Sequence, residues 1–238
     1  MEGVRGSDGN GDPTLMNDPE FDPRERTREI AAEFAERGDA TGWFDVLYKE
    51  AEGDNERIPW ADLEPNKYFR AWAERTNLNG DGRKALVIGC GLGDDAVYLD
   101  DLGFDVTAFD ISPTAIEWAK RLHAERNIQF EVADLFEPFR GWFGEFDFVL
   151  EVYTIQPLPL EMRERAIDAV ASFVAPGGEL VVATRGREDN EPVEELPWPL
   201  SREDLSRFET SGLNQIHFEI MEGDEDPPAQ RFVVIYRR

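Results

Sequence analysis

The chain has 238 residues, 41% of them hydrophobic, and a formal net charge of −26 at pH 7. The length and apolar content suit one globular domain with a sizeable core, whereas the negative charge argues against a nucleic-acid substrate, which needs a basic protein face. The sequence has neither a long apolar stretch nor a basic leader followed by an apolar run, which predicts no membrane association and a cytoplasmic location.

Thiol and imidazole metal ligands are scarce in this chain, which has one cysteine and 2 histidines. Cys90 is the single cysteine, so an internal disulfide and a thiolate metal cluster are both excluded, and His123 and His217 are far apart in sequence. We therefore predict no metal site. The acidity is typical of a strongly hydrated surface suited to a salty cytoplasm, or of a surface that meets a basic partner. We expect a monomer or a weak homodimer.

The N-terminal third contains a polar tail and then helical signals. Residues 1–21 are rich in Gly, Asp, Asn, Pro and Glu, a composition that predicts a disordered tail. Three helices are predicted within residues 22–83. The first has Asp22 as its N-cap, Thr41 caps the second, and the third begins near Pro65.

The segment from Lys84 to Asp110 has the pattern strand, glycine turn, helix and strand. The apolar run 85–88 ends at Gly-Cys-Gly-Leu-Gly in residues 89–93, where only a residue without Cβ lets the backbone turn tightly and approach a ligand. Asp110 ends the second strand 21 residues after the first glycine, where a carboxylate can accept hydrogen bonds from ribose hydroxyls. The pattern predicts a nucleotide-binding βαβ unit.

Two carboxylates at the start of the helix narrow the choice of nucleotide. Asp94 and Asp95 would repel a pyrophosphate at the helix N-terminus, and the third glycine comes one residue earlier than in the dinucleotide fingerprint. A nicotinamide oxidoreductase is therefore disfavoured. A ligand that contains adenosine without phosphate fits better, and S-adenosylmethionine is such a ligand.

The same residues resemble a known family. Residues 85–95, followed by Phe-Asp-Ile-Ser at 109–112 and Ala-Ile at 115–116, are similar to the first two motifs of class I S-adenosylmethionine-dependent methyltransferases. Within that class, G-C-G-x-G-x-D with D-x-S-x-x-A-I resembles the thiopurine and halide/thiol methyltransferase branch. The resemblance implies a Rossmann-like α/β fold over residues 84–238 and an N-terminal helical lid over residues 22–83.

The rest of the chain completes this fold. Further strands are predicted at 128–132, 146–152 and 179–184, and two closing strands give a seven-stranded, mostly parallel sheet with helices on both faces and an antiparallel last strand. Between them, a helix from Leu160 to Phe173 is predicted to turn Arg163 outward. Two further helices are predicted to have Ser112 and Ser201 as their N-caps.

The resemblance also implies a cofactor site and two lid residues. Asp134 follows the third strand and corresponds to the residue that accepts from the adenine amino group. Trp43 and Trp60 resemble lid elements over cofactor and acceptor, whereas Phe69 and Trp72 are interpreted as core. The implied cofactor residues are Gly89, Cys90, Gly91, Gly93, Asp95, Asp110, Ile111, Asp134, Leu135, Glu151, Trp43 and Trp60.

The acceptor side is predicted at the turn after the fourth strand, since ligands of open α/β sheets lie outside the carboxyl ends of strands. Glu151, Tyr153 and Gln156 are the candidate catalytic residues there. A soft nucleophile such as a thiol or a halide needs no strong base, and both histidines are remote, so a small-molecule acceptor of that kind is favoured. An oxygen or nitrogen acceptor, and a cofactor-binding module without catalysis, remain as alternatives.

Overall fold

The computed structural model describes residues 21–193, 196–226 and 228–238, so the predicted tail lies outside the described residues except for Phe21. The α-helices are α1 (Pro23–Glu36), α2 (Trp43–Glu50), α3 (Lys67–Thr76), α4 (Asp94–Asp101), α5 (Pro113–Leu122), α6 (Arg163–Ser172) and α7 (Arg202–Thr210). The strands are β1 (Lys84–Ile88), β2 (Asp105–Asp110), β3 (Gln129–Val132), β4 (Phe146–Val152), β5 (Val174–Arg185), β6 (Asn214–Glu222) and β7 (Gln230–Arg237).

The strands form one sheet in the order β3-β2-β1-β4-β5-β7-β6. Strands β1 to β5 are parallel, and β7 is antiparallel to both β5 and β6. The predicted Rossmann-like fold with an antiparallel last strand is thus confirmed. The last strand lies inside the sheet rather than at its edge, because β6 and β7 form a hairpin whose second strand pairs with β5.

This topology brings distant parts of the chain to one edge of the sheet. The parallel strands β1 to β5 all end there, and the antiparallel strand β7 begins there. We call this edge the carboxyl edge. Ligands of open α/β sheets bind along it, so the side chains at these strand ends define where a site can lie.

Each face of the sheet carries an apolar core, because successive residues of a strand point to opposite faces. One core contains Leu86, Val149, Val182, Ile167 and Phe208. The other core contains Val87, Leu150, Val181, Phe69 and Trp72. Because Phe69 and Trp72 are only 0% and 7% exposed, their interpretation as core residues is confirmed.

The N-terminal helices form a third, smaller core above the glycine turn. Leu92 in that turn and Trp118 on α5 are buried within it. The N-terminal members of this core are Ile30, Trp43, Leu47, Tyr48, Ala51, Ile58 and Ala61. The N-terminal segment is thus packed directly on the turn that follows β1.

Predicted helix caps were confirmed at three of four positions. The side chains of Asp22, Ser112 and Ser201 each accept a backbone N–H in the first turn of their helices. Thr41 is not a cap, because α2 begins at Trp43. The Asp39 carboxylate instead accepts hydrogen bonds from the backbone N–H groups of Thr41 and Gly42 at 3.1 and 2.8 Å.

The prediction that Arg163 points outward was wrong. Its side chain is 5% exposed, and its guanidinium donates to the Asp204 carboxylate at 2.8 Å and to the Trp198 carbonyl at 2.9 Å. A 3-10 turn at 160–162 precedes α6, and this turn changes the helical phase from that of a helix starting at residue 160. Among the described residues, no helix is long and apolar enough to span a membrane.

Candidate active site

The glycine turn after β1 has a backbone that only glycine adopts without strain. Gly89, Gly91 and Gly93 have φ values of +58°, +52° and +92°. A Cβ on Gly89 would lie 2.6 Å from the Thr154 side chain, and a Cβ on Gly91 would lie 2.9 Å from the Tyr48 hydroxyl oxygen. The turn is therefore confined by the turn after β4 and by α2.

Asp110, at the end of β2, holds the glycine turn through its carboxylate. Oδ2 accepts from the Gly91 N–H at 3.0 Å, and Oδ1 accepts from the Ser112 N–H at 2.9 Å. Burial raises the pKa of Asp110, while these backbone donors oppose the rise. Each carboxylate oxygen retains acceptor capacity for a ligand hydroxyl, so the geometry fits the predicted ribose contact.

The acidic start of α4 faces the N-terminal segment. Asp95 Oδ1 accepts from the Asn66 N–H at 2.8 Å, which ties α4 to the start of α3. Burial raises the pKa of Asp95 to about 7, and burial together with the Asp62 charge raises that of Asp94 to about 6. The observed partner of the Asp95 carboxylate is thus a protein backbone group, and its cofactor role stays a prediction.

The remaining predicted cofactor residues lie along the same edge. Asp134 Oδ1 accepts from the Phe136 N–H at 2.7 Å and shapes the turn after β3. Leu135 is buried in the apolar core, and Ile111 is half-buried at the end of β2. Cys90 is half-buried, and burial followed by the Asp110 charge raises the pKa of its thiol, so it stays protonated.

Glu151, near the end of β4, is fully buried and only half satisfied. Its Oε1 accepts from the N–H groups of Thr154 and Ile155 at 2.7 and 2.9 Å, whereas Oε2 has no partner among the described residues. Burial raises the pKa of Glu151 to about 7. Thr154 Oγ1 donates to the Ile88 carbonyl at 2.9 Å, so this turn abuts the glycine turn.

The two other predicted catalytic residues have different surroundings. Tyr153 has φ +57°, and its hydroxyl accepts from Arg231 Nε at 3.2 Å. Burial raises the pKa of Tyr153, and the Arg231 charge opposes the rise. Gln156 Oε1 accepts from the Arg185 N–H at 3.0 Å and from the Thr184 hydroxyl at 3.2 Å, so its carbonyl joins the β4 turn to β5.

The two predicted lid tryptophans differ in exposure. Trp43 is 3% exposed, stacks on Phe44 and donates its indole N–H to the Ala40 carbonyl at 3.1 Å. Trp60 is 38% exposed and donates its indole N–H to the Tyr48 hydroxyl at 2.9 Å. Trp60 thus lies beside the glycine turn, while Trp43 packs in the small core behind it.

Tyr48 is a residue at this site that sequence reasoning missed. Its hydroxyl is the atom nearest to the Cβ position of Gly91, and burial with the nearby Asp110 charge raises its pKa. The sequence offered no signal that separated Tyr48 from the other aromatic residues of α2. Arg185 and Arg231 were also missed, although both stand at predicted strand ends.

Helix α2 is tied to the start of α5 by Asp45. Its carboxylate accepts from the Ser112 hydroxyl at 2.8 Å and from the Thr114 N–H at 3.1 Å, and it pairs with Lys49 at 2.6 Å. Burial acts to raise the pKa of Asp45, but these partners outweigh it and lower the pKa to about 2. The N-terminal segment is therefore anchored by specific polar contacts.

Comparison with known proteins agrees with this geometry. A family profile described as "Methyltransferase domain" matches residues 85–178. A 2-heptyl-1-hydroxyquinolin-4(1H)-one methyltransferase from Mycobacteroides abscessus is 30% identical over 187 residues, which cover 74% of this chain and 80% of that protein.

Solved structures share the fold. The N-methyltransferase NodS from Bradyrhizobium japonicum, in complex with S-adenosylhomocysteine, has a TM-score of 0.62 and 19% identity, covering 81% of this chain and 96% of that chain. A 1,6-didemethyltoxoflavin-N1-methyltransferase from Burkholderia thailandensis, also with S-adenosylhomocysteine, has a TM-score of 0.63 and 14% identity, covering 94% and 93%.

The glycine turn and the buried Asp110 carboxylate at the end of β2 fit an adenosyl cofactor at the carboxyl edge. The curated relative is matched over most of its length, and the structural relatives hold the demethylated form of that cofactor. The chain therefore belongs to the class I S-adenosylmethionine-dependent methyltransferases, and S-adenosylmethionine is its cofactor.

Proposed function

We propose that this enzyme transfers the methyl group of S-adenosylmethionine to a small-molecule acceptor at the carboxyl edge. The observation that carries this proposal is the contact between two turns. Thr154, in the turn after β4, donates to the Ile88 carbonyl and touches the Cβ position of Gly89. Glu151 and Tyr153 are thereby placed beside the turn that we assign to the cofactor.

The names of two relatives support a small-molecule acceptor. The Mycobacteroides relative is named for a hydroxyquinolone, and the Burkholderia structure contains bound 1,6-didemethyltoxoflavin. Both compounds are small heterocycles. The chain matches both proteins over more than two thirds of their lengths, so an acceptor of similar size is the simplest inference for this enzyme.

In this proposal different residues contact different parts of the adenosyl group. Asp110 accepts from the ribose hydroxyls, Asp134 accepts from the adenine amino group, and the glycine turn leaves room for the backbone to approach. The cofactor supplies a sulfonium methyl group for an in-line displacement. The protein's task is mainly to align the acceptor and to exclude water.

The N-terminal helices serve as the cover of this site. Residues 22–83 include Tyr48 and Trp60, which lie against Gly91, and an aromatic face near a sulfonium adds cation–π attraction. The contacts of Asp45 with α5 and of Asn66 with Asp95, together with the small apolar core, support a cover that is docked on the glycine turn. The predicted division of the chain at residue 84 remains part of this proposal.

The acceptor atom has two candidates. The resemblance to the thiopurine and halide/thiol branch favours a soft nucleophile, which needs no base. Glu151 has a pKa raised to about 7, and its Oε2 has no partner among the described residues, which favours an oxygen or nitrogen acceptor that must lose a proton. The hydroxyquinolone named for the curated relative agrees with the second candidate.

The test combines calorimetry with a methyl-transfer assay. We expect S-adenosylmethionine to bind the purified full-length chain, and labelled methyl to appear on at least one member of a panel of thiols, halides, phenols and hydroxyquinolones. Turnover of only phenols and hydroxyquinolones would reject the soft acceptor. Tight cofactor binding without transfer to any member of a broad acceptor panel would instead indicate a binding module.

A further inference from the structure

Two arginines meet at the carboxyl edge on the acceptor side. Arg185 ends β5, and Arg231 lies directly opposite it in the antiparallel pairing of β5 with β7. Like charges in directly opposite positions of a sheet destabilise the pair. The side chains are 30% and 8% exposed, so water screens this repulsion only in part.

One carboxylate holds both guanidinium groups. Glu225, in the connection between β6 and β7, accepts from Arg185 Nη2 at 2.8 Å and from Arg231 Nη2 through the same oxygen, Oε1. Its own side chain is 30% exposed. Two positive charges therefore share one negative charge, and this small cluster has an excess of positive charge within a chain of net charge −26.

The cluster is continuous with the proposed methyl-transfer site. Arg231 Nε donates to the Tyr153 hydroxyl at 3.2 Å, and its guanidinium carbon lies 5.6 Å from the centre of the Tyr68 ring. Tyr153 follows β4 directly and is two residues from Glu151. The arginine cluster therefore borders the turn that carries Glu151 and Tyr153.

We propose that Arg185 and Arg231 form an acceptor subsite that binds an anionic oxygen, a carboxylate or an ionised hydroxyl, in the place of the Glu225 carboxylate. The proposal rests on the methyltransferase function proposed above and names its substrate class. A guanidinium pair binds a planar oxyanion through several parallel N–H donors. Glu225 occupies this place until the acceptor enters, and its partial exposure gives it a short path into solvent.

A structural ion pair and a ligand subsite predict different effects of substitution. If Glu225 only attaches the β6–β7 connection to the sheet, removing Glu225 or removing an arginine breaks the same contact. Both substitutions should then change acceptor binding in the same direction. If Glu225 competes with the acceptor, its removal and that of an arginine act in opposite directions on acceptor binding. This opposition of sign is the signature of the subsite.

The experiment uses the full chain saturated with S-adenosylhomocysteine and titrates it with matched ligands. Each pair consists of an aromatic carboxylate and the amide of the same ring, for example hydroxybenzoates with hydroxybenzamides and quinoline carboxylates with their amides. We compare wild type with Arg231→Gln and Glu225→Gln. Arg237→Gln is the matched control, since Arg237 lies on the same strand at the opposite edge and is 54% exposed.

The wild type should bind at least one carboxylate more tightly than its amide. Arg231→Gln should weaken binding of that carboxylate by about ten- to a hundredfold, the range for a lost hydrogen bond to a charged group. The affinity for the amide should change by less than about twofold. Glu225→Gln should bind the carboxylate more tightly than the wild type, and Arg237→Gln should bind both ligands as the wild type does. S-adenosylhomocysteine affinity should be the same in all four proteins.

Three results would overturn this subsite. They are equal binding of acids and amides by the wild type, equal loss for both in Arg231→Gln, or weaker carboxylate binding in Glu225→Gln. Methyl transfer to neutral acceptors alone would also reject it while leaving the proposed function intact. Failure of the wild type to transfer methyl to any acceptor, with carboxylate selectivity retained, would reject the proposed function instead.

Discussion

The two halves of the carboxyl edge are built from different interactions. In the half that we assign to the cofactor, Asp110 contacts the N–H of Gly91, which lies 19 residues away in sequence, and the turn is shaped by glycines of positive φ. In the half that we propose for the acceptor, Arg231 contacts Tyr153 across 78 residues and Glu225 bridges to Arg185 across 40. One half depends on backbone geometry, and the other on side chains that the sheet topology brings together.

This difference has a consequence for function. Backbone N–H groups held by a turn are preorganised and cannot change without changing the turn, which suits a cofactor common to many relatives. Ion pairs between side chains can exchange a partner for a ligand, because an entering oxyanion compensates the guanidinium charges that the departing carboxylate leaves. The acceptor half can therefore vary while the cofactor half is kept.

The largest effect should come from Gly91→Val. The substitution places a β-branched residue at φ +52° with its Cβ 2.9 Å from the Tyr48 hydroxyl. Cofactor affinity should fall by more than about a hundredfold, because backbone strain of about 1–3 kcal/mol adds to this clash. Gly177→Val is the matched control, with φ +81° and no neighbour within 4 Å. Calorimetry measures affinity and circular dichroism the fold. Retained binding in a folded Gly91→Val protein would remove this turn from the cofactor site.

Asp110→Ala should have the next largest effect. It removes the acceptor of two backbone N–H groups and of the proposed ribose contact, so cofactor affinity should fall by about 1.5–3 kcal/mol. The affinity of Asp110→Asn should fall less. Asp105→Ala, at the exposed start of the same strand, is the control. Equal calorimetric affinity in wild type and Asp110→Ala would contradict the ribose assignment.

A pH titration of stability examines the buried carboxyls without any ligand. Burial raises the pKa of Glu151 from 4.5 to about 7 and that of Asp95 from 3.8 to about 7. The folded state therefore binds more protons than the unfolded state, and this contribution to stability is present below about pH 4 and is lost as pH rises to 7. Urea unfolding should show a free energy lower by about 1–3 kcal/mol at pH 8 than at pH 5.

Glu151→Gln should flatten this pH profile, because the neutral amide removes one of the carboxyls that titrate in that range. Glu161→Gln, at an exposed position in the 3-10 turn before α6, is the control. A wild-type free energy of unfolding that is constant or rises between pH 5 and 8 would show that the pKa values of Glu151 and Asp95 are not raised in the folded protein.

The smallest effect should come from the N-terminal cover. Trp60→Ala should weaken S-adenosylmethionine binding by about 0.5–2 kcal/mol through loss of cation–π attraction. It should weaken S-adenosylhomocysteine binding by less, because that ligand lacks the sulfonium charge. Tyr48→Phe, which removes the acceptor of the Trp60 indole N–H, should act in the same direction. Deletion of residues 1–20 should leave both affinities unchanged. Equal losses for the two ligands would argue against an aromatic contact with the sulfonium.

Sequence reasoning succeeded at local caps and failed at one local and one distant contact. Ser112 and Ser201 were found as caps because the signal lies within one helical turn. Thr41 was misassigned because Asp39, two residues earlier, supplies the hydrogen bonds instead. Arg163 was placed outward because its partner Asp204 lies 41 residues away on α7, a contact that no local pattern predicts.

The fold class, the glycine turn and the acid at the end of β2 could be predicted from the chain alone, because strand periodicity, left-handed turns and strand-to-turn spacing are local properties. The contact of Tyr48 with Gly91, the Glu151 oxygen without a partner among the described residues, and the carboxylate shared by Arg185 and Arg231 became visible only in the folded protein. These arrangements depend on where β7 inserts and how α2 docks, and both are set by burial of apolar surface over the whole chain.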